Sequence, residues 1–151
     1  MTMNNSPYLK LCRLYPNMDT GLIANAVRTG SDIQIPSGWV DLVNACHGDL
    51  LNVAPDYQVL AIKMKYAWLR YYIQSGLPDD NSFNPAAEII SLAERMSQCI
   101  CHDCGNNGRS CYAPNVLPAT PSMPKSALSS VALVTMILCE DCFNNRNNSR
   151  L

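Results

Sequence analysis

Four of the chain's eight cysteines fall in two Cys-x-x-Cys pairs, Cys101/Cys104 in "CHDCG" and Cys139/Cys142 in "CEDC". A turn of that length can aim two sulfurs at one cation at ~2.3 Å, and two such turns complete a tetrahedral shell of thiolates. Zinc is the ion that suits this donor set best. Gly105, directly after the second thiol, supplies the backbone freedom that a tight thiol turn needs beside its ligand. The stretch 105–138 separates the pairs by more than the usual spacing. Pro114, Pro118, Pro121 and Pro124 mark much of it as a loop, whose extra length adds little closure entropy.

The same thiols admit other readings. A redox dithiol of thioredoxin type lies between a strand and a helix, whereas Cys101 follows a helical pattern and Cys104 precedes glycine and asparagine. A catalytic zinc keeps one position open for water, and four thiolates leave none. A zinc deaminase carries His-x-Glu ahead of Pro-Cys-x-x-Cys, and the sequence has neither element. Cys99, His102 and Cys111 lie close enough in sequence to replace one of the four ligands. Cys12 and Cys46 occupy apolar helical positions and read as core residues. His47 is expected at the surface or in a cap, and a site assembled from Asp41, His47, Asp49 and Glu94 stays open as an enzymatic alternative.

Between the amino-terminal third and the first thiol pair, Tyr57, Tyr66, Trp68, Tyr71 and Tyr72 interleave with Lys63, Lys65 and Arg70. Such a mixture can stack on single-stranded nucleic acid. Strand alternation favours another arrangement, with the aromatics packed on one face and the lysines solvated on the other. Any aromatic surface left exposed suits a protein partner, because Tyr, Trp and Arg dominate interface energetics. Trp68, Tyr66, Arg70 and Tyr72 are the candidate anchors.

The elements that must position these residues are legible in part. Ser6 and Pro7 open a helix with Leu9, Cys12 and Leu14 as its apolar residues, ended by Pro16. A second begins at Asp19, with Leu22, Ile23, Ala26 and Val27 on one face and Gly30 as terminator. Trp39, Leu42, Val43, Cys46 and Leu50 mark a third between Ser37 and Pro55. Leu60, Ile62, Met64 and Tyr66 alternate with Ala61, Lys63 and Lys65 as one strand, and "LRYYI" reads as its antiparallel partner. Ala67-Trp68 is poor two-residue turn chemistry, so a longer loop or a bulge is expected there, with a continuous strand as the alternative. Asn84 and Pro85 open a helix striped by Ile89, Ile90, Ala93 and Met96 that runs into Cys101. A loop is expected over 113–127, and "VALVTMIL" reads as a strand leading into Cys139.

The fold class predicted is therefore α+β. One small domain spans 1–151, with an N-terminal helical segment over 1–36, a helix-hairpin-helix core over 37–98 and a zinc-ribbon-like subdomain over 99–145. With 15% charged residues and a net charge of -1, no global field draws the chain to phosphate backbones, so strong nucleic-acid binding is not expected. No stretch approaches the ~20 apolar residues that cross a bilayer, and "MTMNNSPYLK" lacks a basic patch followed by an apolar run. A reducing, cytoplasmic setting without membrane association is expected, where paired thiols hold metal and do not form disulfides.

The order of "SGWVDLV", "LAIKMKYAWLRYYI", "AERMSQCICHDCG" and "LCEDC" resembles a group of small, mostly uncharacterised bacterial and prophage proteins over residues 37–142. The chain departs from that group at Ala67-Trp68, where the group shows glycine. The resemblance implies mobile-element or toxin-defence neighbourhoods and transfers no catalytic residue. The expectation is a non-enzymatic protein with structural Zn2+ that binds and inhibits another protein, as a toxin-immunity protein or an inhibitor of a defence enzyme. The alternative is a zinc-ribbon nucleic-acid-binding regulator.

Overall fold

Side-chain acceptors set two of the helix starts. Asp19 Oδ1 accepts from the amides of Gly21 and Leu22 at 2.8 and 3.2 Å, and Asn84 Oδ1 accepts from Ala86 and Ala87 at 3.0 and 3.2 Å. In a computed structural model that describes residues 6–75, 84–114 and 133–148, these caps open helices α2 (Thr20–Arg28) and α4 (Pro85–Met96). The other helices are α1 (Pro7–Leu14), α3 (Val40–Val53) and α5 (Glu140–Asn148). Strands β1 (Ile33–Gln34), β2 (Gln58–Lys65) and β3 (Trp68–Gln74) form one sheet in that order, and β4 (Arg109–Pro114) pairs with β5 (Leu133–Leu138) in a second. The α+β class with a cysteine cluster near the carboxyl end is the architecture observed.

The helical faces follow the 3.6-residue period, with two corrections. Helix α1 buries Leu11, with Tyr8 and Cys12 packed alongside, while Leu14 lies off that face and is exposed. Helix α4 buries Ala86 and Ala93, Ile89 and Ile90 flank them, and the next inward position is Ser97; Met96 points outward. Ser6 stands at the start of α1 without a side-chain cap, and Pro7 at the first helical position suffices. Gly30 follows α2 at φ +70°, a conformation that glycine adopts at least cost.

The hairpin corrects the expected turn. Lys65 pairs with Trp68, so the two-residue turn is Tyr66-Ala67, at φ +54° and +66°. Positive φ at both positions is what a type I′ turn requires, at a cost on the order of 1 kcal/mol for each residue with a Cβ. Burial offsets this: the Ala67 methyl is enclosed, and Ile62, Leu69 and Tyr71 fix the register beneath it. A bulge at Leu60 shifts the phase of β2, so that Val59 and Ile62 face the core while Leu60 and Met64 are exposed. The expected segregation of aromatics from lysines also fails. Tyr57 and Tyr71 are buried, but Trp68, Tyr72 and Tyr66 are exposed together with Lys63 and Lys65.

Side chains close both edges of the three-stranded sheet. Beside β1 the Tyr15 hydroxyl accepts from the Ile35 amide at 3.0 Å and reaches the carbonyls of Ile33 and Ile35 at 3.3 and 3.2 Å. Beside β3, Ser97 Oγ accepts from the Leu69 amide at 3.0 Å and donates to the Glu94 carbonyl at 2.6 Å. The core between the helices and this sheet holds Trp39, Leu22, Val43, Leu50, Val59, Ile62 and Leu69. Strand β4 was not expected, and the predicted loop over 113–127 gives up Ala113 and Pro114 to it; the rest of that loop lies outside the described residues. No helix among the described residues is long and apolar enough to cross a membrane.

His47 is a core residue, not a surface one. Its Nδ1 lies 2.5 Å from the Tyr57 hydroxyl, which lies 2.8 Å from that of Tyr71, and its Nε2 lies 3.9 Å from the Asp19 carboxylate. Cys46 beside it is inert, its thiol pushed up to about 12 chiefly by burial. Burial also lowers the His47 pKa from its ordinary 6.5, against the pull of Asp19. The imidazole therefore stays neutral in the fold at a pH where the unfolded chain has begun to take up its proton. Its contribution to stability is complete above about pH 6.5 and erodes as the pH falls through the folded-state value. His47→Gln is expected to flatten the acid limb of the stability–pH curve, read from urea midpoints between neutral and mildly acidic pH. A curve unchanged by the substitution would contradict this assignment.

Candidate metal centre

Helix α4 runs into a 3-10 turn, Ser97–Cys99, which delivers the chain to Cys101. There the backbone folds into a knuckle. The Cys101 amide donates to the Asn106 carbonyl at 2.7 Å, Gly105 to Cys101 at 3.0 Å and Gly108 to Cys99 at 2.8 Å. Gly105 sits at φ +82°, the left-handed position its place in the sequence suggested. The second pair straddles the start of α5: the Phe143 amide donates to the Cys139 carbonyl at 2.9 Å, and the Cys142 amide points at Cys139 Sγ at 3.4 Å.

The two knuckles bring Cys101, Cys104, Cys139 and Cys142 together, with all four sulfurs within 4.8 Å of one another and Cys104 Sγ 3.7 Å from Cys139 Sγ. The edge of a tetrahedron with metal–sulfur bonds of ~2.3 Å is about 3.8 Å, so the group fits one four-coordinate ion. Among the described residues no other set of three or more His, Cys, Asp or Glu side chains converges in this way. Asp41, Asp49, His47 and Glu94 are not gathered into a site. Cys99 is exposed, Cys111 lies on β4 opposite Met136, and His102 is turned against Trp39, so none of the three joins the cluster.

The site favours thiolate unevenly. Cys101 is fully enclosed, which opposes ionisation, yet the amides of Cys139, Cys104 and Asp103 and the Cys104 thiol outweigh burial and lower its pKa to about 7. Cys142 goes the other way, raised by burial and by the neighbouring thiols that share hydrogens with it. A divalent cation removes that conflict by replacing the thiol protons.

Sequence reasoning missed two supports. Asp103, inside the first pair, accepts from Arg146 of α5 in a two-pronged ion pair at 2.7 and 2.6 Å, with both side chains largely buried. This ties the first knuckle to the helix that follows the second. The other support is Gly38, ahead of α3. Its amide donates to the His102 carbonyl at 2.8 Å, and a Cβ built on it would lie 2.0 Å from the Cys101 carbonyl oxygen. Trp39 Nε1 donates to the Ile100 carbonyl at 3.1 Å, and its ring meets His102 edge-on with centroids 4.8 Å apart. Burial lowers the His102 pKa to about 4, so the ring packs as a neutral group. The "SGW" stretch offered only a helix start; that its glycine faces backbone 60 and more residues away has no local signature.

The four candidate contact residues lie on the outer face and tip of the β2–β3 hairpin. Tyr66 is 83% exposed, Tyr72 45% and Trp68 40%, and the Arg70 guanidinium sits over the Trp68 ring at 5.5 Å. The chain matches no family model, no curated protein and no solved structure.

Replacing Cys104 by Ser leaves three thiolates. It is expected to weaken metal retention by more than the ~10–100-fold that loss of an outer-shell partner costs, read by competition with a chromogenic chelator. Gly38→Ala forces backbone apart and is expected to destabilise by on the order of 3 kcal/mol in chemical denaturation. Gly48→Ala, inside α3 with no atom beyond its chain neighbours and its own helix backbone within 4 Å of the new Cβ among the described residues, is expected to stabilise by roughly 0.5–1 kcal/mol. Equal effects at the two glycines would rule out the close approach at Gly38.

Proposed function

We propose that this chain is a non-enzymatic protein built around a structural Zn2+ held by Cys101, Cys104, Cys139 and Cys142, and that it acts by binding and inhibiting another protein. Four thiolates close the coordination shell, so the ion serves folding and leaves no position for a water nucleophile. Such a site persists where thiols stay reduced, which supports the cytoplasm as its setting. The observation that carries the binding role is the outer face of the hairpin, where Trp68, Tyr72 and Tyr66 are exposed beside Arg70. Large aromatics with an adjacent guanidinium are the residues that anchor protein interfaces. The resemblance of the motif order to small bacterial and prophage proteins is the ground for proposing an immunity protein for a toxin or an inhibitor of a defence enzyme.

A nucleic-acid-binding regulator is the second reading, favoured by the presence of Lys63 and Lys65 on the same surface as the aromatics. The two readings differ in salt dependence, because neutralising several phosphates makes affinity fall steeply with ionic strength. Trp68→Ala is expected to weaken capture of the partner, sought among products of neighbouring genes by co-purification, by ~2 kcal/mol or more. Metal content and melting temperature are expected to stay within error. A loss of stability together with binding would move Trp68 into the structural framework, and a protein that captures no macromolecule would end the inhibitor reading.

A further inference from the structure

We propose that the outer face and tip of the β2–β3 hairpin bind a carboxylate-rich segment of a protein partner; this rests on the reading of that hairpin as the contact surface. In a chain of net charge -1, the stretch from Tyr57 to Ser75 carries Lys63, Lys65 and Arg70 and no Asp or Glu. Lys63 stands directly opposite Arg70 in the ladder, a like-charge pair that works against the fold. Among the described residues none of the three cations forms an ion pair, in contrast to Arg146, which Asp103 neutralises. Glu94 of α4 feels the field of Arg70 but does not bridge to it. Among the described residues, buried Arg70 Nε has no hydrogen-bond acceptor.

The tip adds a third local cost. Tyr66 is 83% exposed on backbone at φ +54°, where asparagine or glycine would be the less strained choice. A like-charge pair, a guanidinium with no ion-pair partner among the described residues and a strained, exposed tyrosine thus share one face, where cation–π contacts are the local compensation. A segment bearing carboxylates relieves the first two by accepting from the Arg70 guanidinium and balancing Lys63, while its apolar atoms lie on Trp68 and Tyr72. Lys63 lies over Tyr72 and Lys65 over Tyr66 at 5.8 Å, and Arg70 over Trp68 at 5.5 Å, so cations and rings form one patch. Three cations in a chain of net charge -1 fall short of the basic track that follows a phosphate backbone.

The test uses three fluorescent probes with the metal-loaded protein: a short peptide alternating Glu and Leu, its Lys–Leu counterpart, and an oligothymidylate. Only the acidic peptide is expected to bind, more tightly at low salt. Lys63→Glu is expected to weaken that binding by roughly tenfold or more while raising the melting temperature, because it converts a like-charge pair into an opposite-charge pair. Tyr66→Asn is expected to do the same by relieving the turn, which separates contact from folding. Indifference of the protein to peptide charge, or tighter binding of oligothymidylate, overturns the proposal. A captured partner that is sensitive to Trp68→Ala but not to Lys63→Glu also overturns it, and leaves the contact-surface reading standing.

Discussion

The close approach of Gly38 to the backbone around Cys101 is the contact on which the rest of the molecule's arrangement turns. It seats the start of α3 on the first thiol knuckle, with an amide of one bonded to a carbonyl of the other and no side chain between them. Trp39, fully buried next to it, carries the joint inward by bonding the Ile100 carbonyl and filling the centre of the main core. The knuckle is therefore continuous with the helical body and is not an appendage on a linker. A metal held by the four sulfurs would share this boundary with the core, and free energy gained there would also hold the junction with α3.

The hairpin obeys a different economy. Its inner face is fixed by burial strongly enough to hold a turn of two residues that both carry a Cβ, while its outer face gathers features that weaken the fold slightly. The bulge at Leu60 sets the division, because it re-phases β2 so that Val59 and Ile62 face inward beneath β3.

Much of this was legible in the sequence, for identifiable reasons. Helix starts at Asp19 and Asn84, the core face of α3, the strand into Cys139 and the paired thiols depend on short-range chemistry that a few neighbouring residues specify. Leu14, Met96 and the strand phase were misread because each turns on one residue of register, and a bulge or a helix face that runs through Leu11 or Ser97 is decided by what lies across the contact. The turn was placed one residue late because Tyr66-Ala67 has no turn composition at all. His47 looked solitary because its partners, Tyr57 and Asp19, come from other elements. Asp103 with Arg146, and Gly38 with Cys101, were invisible for the same reason, being pairings of residues far apart in sequence with nothing local to mark them.

The ion pair from Asp103 to Arg146 also gives the chain an order of assembly. During synthesis the first thiol pair and Asp103 leave the ribosome well before Cys139, Cys142 and Arg146, at a stage when α1 to α4 and the three-stranded sheet can already have packed. A nascent chain thus carries two of the four clustered cysteines, and an Asp103 carboxylate whose cationic partner has yet to be made, until α5 arrives.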